Sequence, residues 1–427
     1  MSRNAYIGSL AFLAVLIANL WQPIAHRATV LGLTRSPTKI DNIHGIGTPI
    51  RIPDTIHCED VHYHRASNRL YTACEGPASS RTLWFPPLAH FSRRNDVGQG
   101  KIVVVNPTTF ESTELVLSGF HGPLITHGID IFPSEDGQMV TIFAVNHLPN
   151  PEYNAEGTKD ASQHKARSQI EVFSHTIGSD TAVWVRSVRH PHIRTPNDIY
   201  ATGPTSFYVT NDHYYREGSL RLVEDLLEYS TGAWSDVVHV DFSNHKADAT
   251  SALTVSHGLI KSHNPNGLGH TTQDDELLLV DAAGGELYVM ARNPASGASN
   301  ELTLRSRIQL DSSIDNPSYY DDQYATSGMN ASGYVLAGLL LAHQLGEAVT
   351  TNDSAIPTVV WYVRTTTEGK QEKSVIFQDD GKLLRSASAA VLVGIDPAGN
   401  DGKKQAWLFA TGFVSEAMIA ARIELST

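Results

Sequence analysis

The sequence predicts an all-β fold, a six-bladed β-propeller over residues 36–427, behind an N-terminal apolar anchor or signal helix and linker over 1–35. Three observations carry this expectation. Short β-rich runs, separated by Gly, Pro, Asn and Asp, recur along nearly the whole chain. They do not alternate with helices as βαβ units would. The 427 residues also exceed what a sandwich usually consumes, whereas a propeller spends one four-stranded blade every few tens of residues. No strict sequence repeat marks the blades, so the number six rests on length.

At the N-terminus, Ser2-Arg3-Asn4 precedes an apolar run from Ala5 to Trp21, with His26-Arg27 beyond it. That is the length at which a signal-peptide core and a membrane span overlap. No small-residue cleavage site follows, which leaves an uncleaved signal-anchor, a removed peptide and a buried helix as readings. The anchor readings imply membrane contact through this segment and a lumenal or extracellular body. Cys58 and Cys74 flank two strands around a turn near Ser67-Asn68, so a cross-strand disulfide and a pair of buried thiols are both open. Asn330 and Asn352 stand in glycosylation sequons, a short signal.

The strand candidates that follow are 101–107, 138–147, 169–175, 206–212, 236–242, 276–282, 286–292, 358–364, 389–396 and 405–413. Residues 219–230 read as a helix, capped by Ser219, with Leu220, Val223, Leu226 and Leu227 on one face. The polar stretches 150–168 and 243–263 read as loops. A formal charge of −13, with no basic stripe, argues against a nucleic-acid partner. There is no G-x-S-x-G elbow, H-E-x-x-H pair, phosphate-binding glycine loop or EF-hand loop.

Paired acid and amide residues sit beside several strands: Glu59-Asp60, Asn197-Asp198, Asn211-Asp212 and Asp315-Asn316, with Asn266 in a similar setting. Each pair taken alone is also an ordinary turn signal. Successive side chains on an extended chain point to opposite sides, so such pairs around a propeller axis would build two stacked oxygen cages. Mixed carboxylate and amide oxygens suit Ca²⁺ rather than zinc or iron. His127, opening THGIDIF, and His147, closing AVNHLP, could form a dyad in which one imidazole orients the other; core or surface histidines are the plainer reading. The HYH triplet at 62–64 and HPH at 190–192 read as surface.

The motifs CEDVHYH, THGIDIF, AVNHLP, TPNDIYATGPTSFYVTNDHYY, NPNGLGH and SIDNPS, in that order, resemble the calcium-dependent paraoxonase/arylesterase (lactonase) family. The resemblance implies a six-bladed propeller with two calcium ions in its central tunnel. By position, it implies a catalytic ion held by Glu59, Asn197, Asn266, Asp315 and Asn316. It implies a structural ion held by Asp60, Asp198 and the carbonyl of Ile129. His127 and His147 would activate water, Asp212 and His213 would stand in the wall, and a small ester or lactone would be the substrate. Two departures stand out: NGLGH replaces the family's NGIN, and both cysteines lie in one hairpin instead of joining distant ends of the chain. Two other functions fit the same letters: a calcium-stabilised binding or scaffold propeller, and a related propeller enzyme acting on sugar lactones.

Overall fold

The computed structural model describes residues 24–36, 45–76, 79–92, 95, 97–153, 164–228, 232–243, 253–293, 299–350, 354–366 and 368–426. The apolar run Ala5–Trp21 and the sequon Asn352 lie outside them; Asn330 is exposed. Among the described residues no helix is long and apolar enough to cross a membrane.

The fold is all-β and propeller-like. Four sheets are separate. The first runs Asp60–His64, Arg69–Cys74, Lys101–Val105, Ser112–Glu114. The second is the meander Thr126–Pro133, Met139–Pro149, Ala166–Thr176, Thr181–Val188, with Val116–Ser118 added in parallel. The third is Pro196–Gly203, Ser206–Asn211, Ser235–Asp241, Thr254–Ser262. The fourth is Pro265–Gly269, Glu276–Asp281, Glu286–Ala291, Thr303–Gln309. Where six separate blades were expected, the remaining strands of the described residues, apart from the short pair Trp84–Phe85 and His90–Phe91, form one continuous eight-stranded sheet. Its outermost member, Ile46–Arg51, pairs with the last strand, Ile419–Glu424, so strand pairing joins the two ends of the chain. The strands Asp60–His64, Thr126–Pro133, Pro196–Gly203, Pro265–Gly269, Ser313–Tyr320 and Ala387–Ile395 touch in succession, and the last returns to the first. These inner strands surround the axis.

Each strand candidate is present, and the apolar pattern explains why. Met139–Pro149 and Ala387–Ile395 are buried along most of their length, which demands continuous apolar letters. The hairpin turn places Asn68 in the left-handed region (φ 51°), where asparagine is tolerated, and Cys58 is bonded to Cys74. The stretch 243–263 is not a loop throughout: Thr254–Ser262 is an outer strand whose solvent exposure removed its apolar signature. Likewise Ala166–Thr176 starts inside the stretch expected to be loop.

The helix forms as Ser219–Glu228 but faces the other way. Leu220, Val223, Leu226 and Leu227 are 52%, 42%, 72% and 37% exposed, while Arg221 and Glu224 are buried. Glu224 accepts the backbone N–H groups of Tyr214 (2.7 Å) and Tyr215 (2.8 Å), and Arg221 donates to the Pro87 carbonyl (2.8 Å). Fixed polar partners on the loop beneath therefore outcompete apolar burial. The apolar face turns to solvent, and the helix contributes Arg221 and Asp225 to the lining of the axial cavity.

Candidate active site and cation cage

One end of the axis opens into a cavity of about 430 Å³. Its walls are apolar, with Leu31, Phe85, Leu88, Leu339, Leu345 and Phe413, and its polar groups include Glu59, His127, Asn197, Asp212, His213, Asn266 and Asp315. Glu59 immediately precedes Asp60–His64, and the others of the expected upper set lie near the starts of Pro196–Gly203, Pro265–Gly269 and Ser313–Tyr320. Four inner strands thus deliver these groups to one level.

Five oxygens of the expected upper set have no hydrogen-bond partner within the protein: Glu59 Oε2, Asn197 Oδ1, Asn266 Oδ1, Asp315 Oδ1 and Asn316 Oδ1. Asp212 Oδ1 on the wall joins them, with only an ion pair to His213. Buried acceptors are normally paired, so five orphans at one level need a common explanation. The Asn316 amide donates to Glu59 Oε1 (2.8 Å), and the Glu59 carbonyl accepts from Ser388 and Thr411 hydroxyls, which fixes the glutamate backbone. Burial, with Asp315 and Asp60 nearby, pushes the Glu59 carboxyl well up. Burial, with Asp60 and Asp212, raises Asp315 to about 8. Among the described residues no group of three or more His, Cys, Asp or Glu is arranged to hold a metal. The orphan set is instead amide-rich, two carboxylates with three asparagines.

His127 lines the cavity and His147 stands behind it, Nε2 3.2 Å from His127 Nδ1. His147 Nδ1 lies 2.8 Å from the Ser168 hydroxyl, and its carbonyl accepts from the Trp84 indole (2.7 Å). The Phe85 ring packs edge-on against both imidazoles. Burial and the Arg81 guanidinium lower His127 to about 4; burial and His127 hold His147 well below the usual range. Both are therefore neutral near pH 7, as a proton acceptor must be. Asp212 and His213 line the wall, Oδ1 to Nδ1 3.0 Å. Burial opposes ionisation of Asp212, but His213 and Arg221 outweigh it and lower its pKa. Asn211 serves the backbone: its Oδ1 accepts from Arg194 (2.7 Å) and Thr195 (3.0 Å).

The residues expected at the lower level are differently placed. Asp60 and Asp198 are buried, but all four of their carboxylate oxygens accept hydrogen bonds from the protein. Neither aspartate lines the cavity. Asp198 is pushed well up by burial, Asp60 and Glu59. Ile129 is fully buried on Thr126–Pro133, and its N–H reaches Asp60 Oδ2 at 3.3 Å. His62 is not a surface residue: its ring lies between Asp60 and Asp130. Burial works against charging His62, yet those two carboxylates raise it to about 9. His64 is buried too, against the Ser67 hydroxyl. His192 is exposed and His190 partly so, as expected.

A sequence profile described as Arylesterase matches residues 80–394. The chain belongs to the arylesterase family. Bovine serum paraoxonase/arylesterase 2 is 24% identical over 266 residues, 62% of this chain and 62% of that protein. Human serum paraoxonase/lactonase 3 is 23% identical over 315 residues, 73% of this chain and 76% of that one. Among solved structures, a protein of unknown function from Dyadobacter fermentans aligns with TM-score 0.48 and 10% identity, covering 91% of this chain and 100% of that chain.

Sequence reasoning missed several residues of this arylesterase-family site. Phe85, Phe413 and Leu31 are apolar walls brought together from distant segments, and nothing local marks them. Arg81, buried at 2% exposure, donates to the carbonyls of His57 (3.0 Å) and Thr126 (3.1 Å), tying the cage strand to the histidine strand. Asp130 had a visible signal: an acid inside the apolar run GIDIF.

Proposed function

We propose that the chain is a calcium-dependent hydrolase of lactones and aryl esters. The observation that carries this reading is the set of five unpartnered oxygens, two carboxylate and three amide, converging beside a neutral histidine pair. They fit the ion: Ca²⁺ takes six to eight hard oxygens, and two carboxylates balance its charge in a buried site. Glu59, Asn197, Asn266, Asp315 and Asn316 would hold it, with substrate and water completing the shell. When bound, calcium supplies Lewis acidity that polarises an ester carbonyl and stabilises the oxyanion.

The protein's own groups do the rest. His127 lines the cavity, held by His147 and by a hydrogen bond to the Pro196 backbone, and takes the proton from the attacking water. His147 orients it, and Ser168 in turn orients His147. Phe85, Leu339 and Phe413 exclude bulk water and hold the apolar part of the substrate. The relatives' printed activities, arylesterase and lactonase, support the substrate class.

In the architecture, we read the eight-stranded sheet as two four-stranded blades, Ser313–Asp379 and Ala387–Glu424 with Ile46–Arg51, fused where Asn316 pairs in parallel with Ala389. With the four separate sheets this gives six. The disulfide and the serum relatives support a secretory location. The outward leucines of Ser219–Glu228 and the partly exposed Trp234 support membrane contact near the pocket mouth.

The test is a lactone and aryl-ester panel with and without chelator. Activity should vanish with EDTA and return with calcium. Glu59→Ala and Asn266→Ala should lose both calcium and turnover. His127→Ala should lower kcat about 10²–10⁴-fold while keeping calcium. Full turnover by metal-free protein would end this reading.

A further inference from the structure

The upper and lower levels of the axis differ in one respect that bears on the number of ions. Every expected ligand side chain of the upper level carries an orphan oxygen. At the lower level none does. Asp60 Oδ1 accepts from Val61 N–H (2.7 Å), and Oδ2 accepts from His62 Nε2 (2.9 Å) and Ile129 N–H (3.3 Å). Asp198 Oδ1 accepts from Ile199 N–H (2.7 Å) and Oδ2 from Leu268 N–H (2.6 Å).

Beneath them lies a carboxylate that sequence analysis passed over. Asp130 is fully buried and gathers donors from four inner segments. It accepts from His62 Nδ1 (3.3 Å) on Asp60–His64, from Ile131 N–H (2.7 Å) on its own strand and from Ala201 N–H (2.6 Å) on Pro196–Gly203. It also accepts from His270 Nε2 (2.7 Å), the residue that follows Pro265–Gly269. The His270 ring is stacked on Tyr200, centroids 4.0 Å apart, which fixes its direction.

We propose that this chain takes one calcium ion, in the upper cage, and that Asp130, His62 and His270 close the lower level in place of a second ion. Three physical points carry it. A hard cation wants oxygen, and the lower level puts an imidazole nitrogen against the Asp60 oxygen it would need. Its remaining expected donors, Asp198 and the Ile129 carbonyl, fall well short of six oxygens. And the cross-linking that an axial ion provides is already made, because one carboxylate joins strands from four inner segments. A Cβ on Gly128 would also stand 2.6 Å from the Asn197 carbonyl and the Asp198 Cα, so the layer is packed by backbone and has little freedom to rearrange.

The inference rests on the calcium reading of the upper cage, and the experiment separates the two. Full-length protein is stripped with chelator and titrated with calcium, with stoichiometry read by calorimetry and native mass spectrometry. The expected result is one calcium per chain in the wild type, one in Asp198→Asn and none in Glu59→Gln. Two per chain in the wild type, falling to one in Asp198→Asn, overturns the inference and leaves the upper cage standing. None in the wild type overturns the cage reading and the inference with it. The wild-type count decides even where a variant fails to fold. Asp130→Asn should keep one calcium yet unfold at lower temperature, and an unchanged unfolding temperature would remove the closing role given to Asp130.

Discussion

Gly267 has no side chain, and the place where a Cβ would stand is already occupied. That atom would lie 2.5 Å from Asn316 Oδ1 and 2.6 Å from the Asp315 carbonyl, with the Asn316 Cα closer still. Ordinary contact needs about 3.5–4.0 Å, so Gly267→Ala forces Asp315 and Asn316 to retreat by about 1 Å. Two of the close atoms are backbone, which has no rotamer to escape into. The backbone angle at Gly267 is not in the left-handed region, so the effect is displacement and not conformational strain. Ca²⁺–oxygen distances span only about 2.3–2.6 Å, and moving groups that hold ligands costs on the order of 10–100-fold in metal affinity. The expected outcome is calcium binding weakened about 10–100-fold, or about 1.4–2.7 kcal/mol, in a folded protein. Calcium titration by calorimetry reads it, with circular dichroism confirming the fold. Wild-type affinity in Gly267→Ala would refute the placement of Asp315 and Asn316 around the ion.

Other consequences follow from the same geometry. Replacing Cys58 and Cys74 together with serine opens a cross-link of sequence separation 16, and chain entropy sets the loss at about 3 kcal/mol. Urea unfolding under oxidising conditions checks it, and an unchanged midpoint counts against the bond. His239 is held at about 4 by burial, so the unfolded chain takes up its proton first. Its stability contribution is whole above pH 6.5, falls as pH drops toward 4, and amounts to about 3 kcal/mol at most. His239→Gln should flatten that part of the stability–pH curve, and an unchanged slope argues against a neutral buried ring. On the helix, Leu222→Gln and Leu226→Gln should change stability by less than about 0.5 kcal/mol, because both are mostly exposed. Glu224→Ala, which strands two backbone donors, should cost about 1–3 kcal/mol. Thermal melts that reverse this order would contradict the orientation of the helix.

The all-β class and the buried strands were legible because burial leaves local marks: KIVVV, MVTIFAV and AAVLVGI are apolar along most of their buried length. Outer strands leave none. TLRSRIQ at Thr303–Gln309 is exposed over most of its length, and TVSHGLIKS at Thr254–Ser262 read as loop for the same reason. The pairs and strand alternation suggested oxygen cages, but the assignment of residues to the upper cage came only by resemblance, since each acid–amide pair alone is a turn signal. His62 was misread because HYH carries no local mark of the carboxylate that receives it, Asp130 on another strand. The helix misled because its apolar stripe is real, while the partners that decide its orientation, the N–H groups of Tyr214 and Tyr215, belong to the backbone and have no letter.

Strict alternation explains why Glu59 and Asp60, or Asn197 and Asp198, serve different levels, but it predicts the same split for Asp315 and Asn316. Pairing register localises the conflict. Asp60–His64 pairs with its neighbour without a slip. Pro196–Gly203 slips between Pro196 and Ile199, Pro265–Gly269 between Pro265 and Leu268, and Ser313–Tyr320 between Ile314 and Pro317. Each irregularity encloses ligand positions of its strand. The bulge at Asn197-Asp198 has the same form as that at Asp315-Asn316, three residues against two, yet only Asn197 leaves an oxygen open in the first pair while both residues do in the second. Pro317 follows directly, and having no N–H it loses no ladder bond where the register breaks. The strand period therefore accounts for the division at Glu59-Asp60 and Asn197-Asp198, and Asp315-Asn316 adds a second open oxygen to the upper level. The uneven outcome, with five open oxygens among the expected upper ligands and none among the lower aspartates, is the pattern that the single-ion proposal predicts.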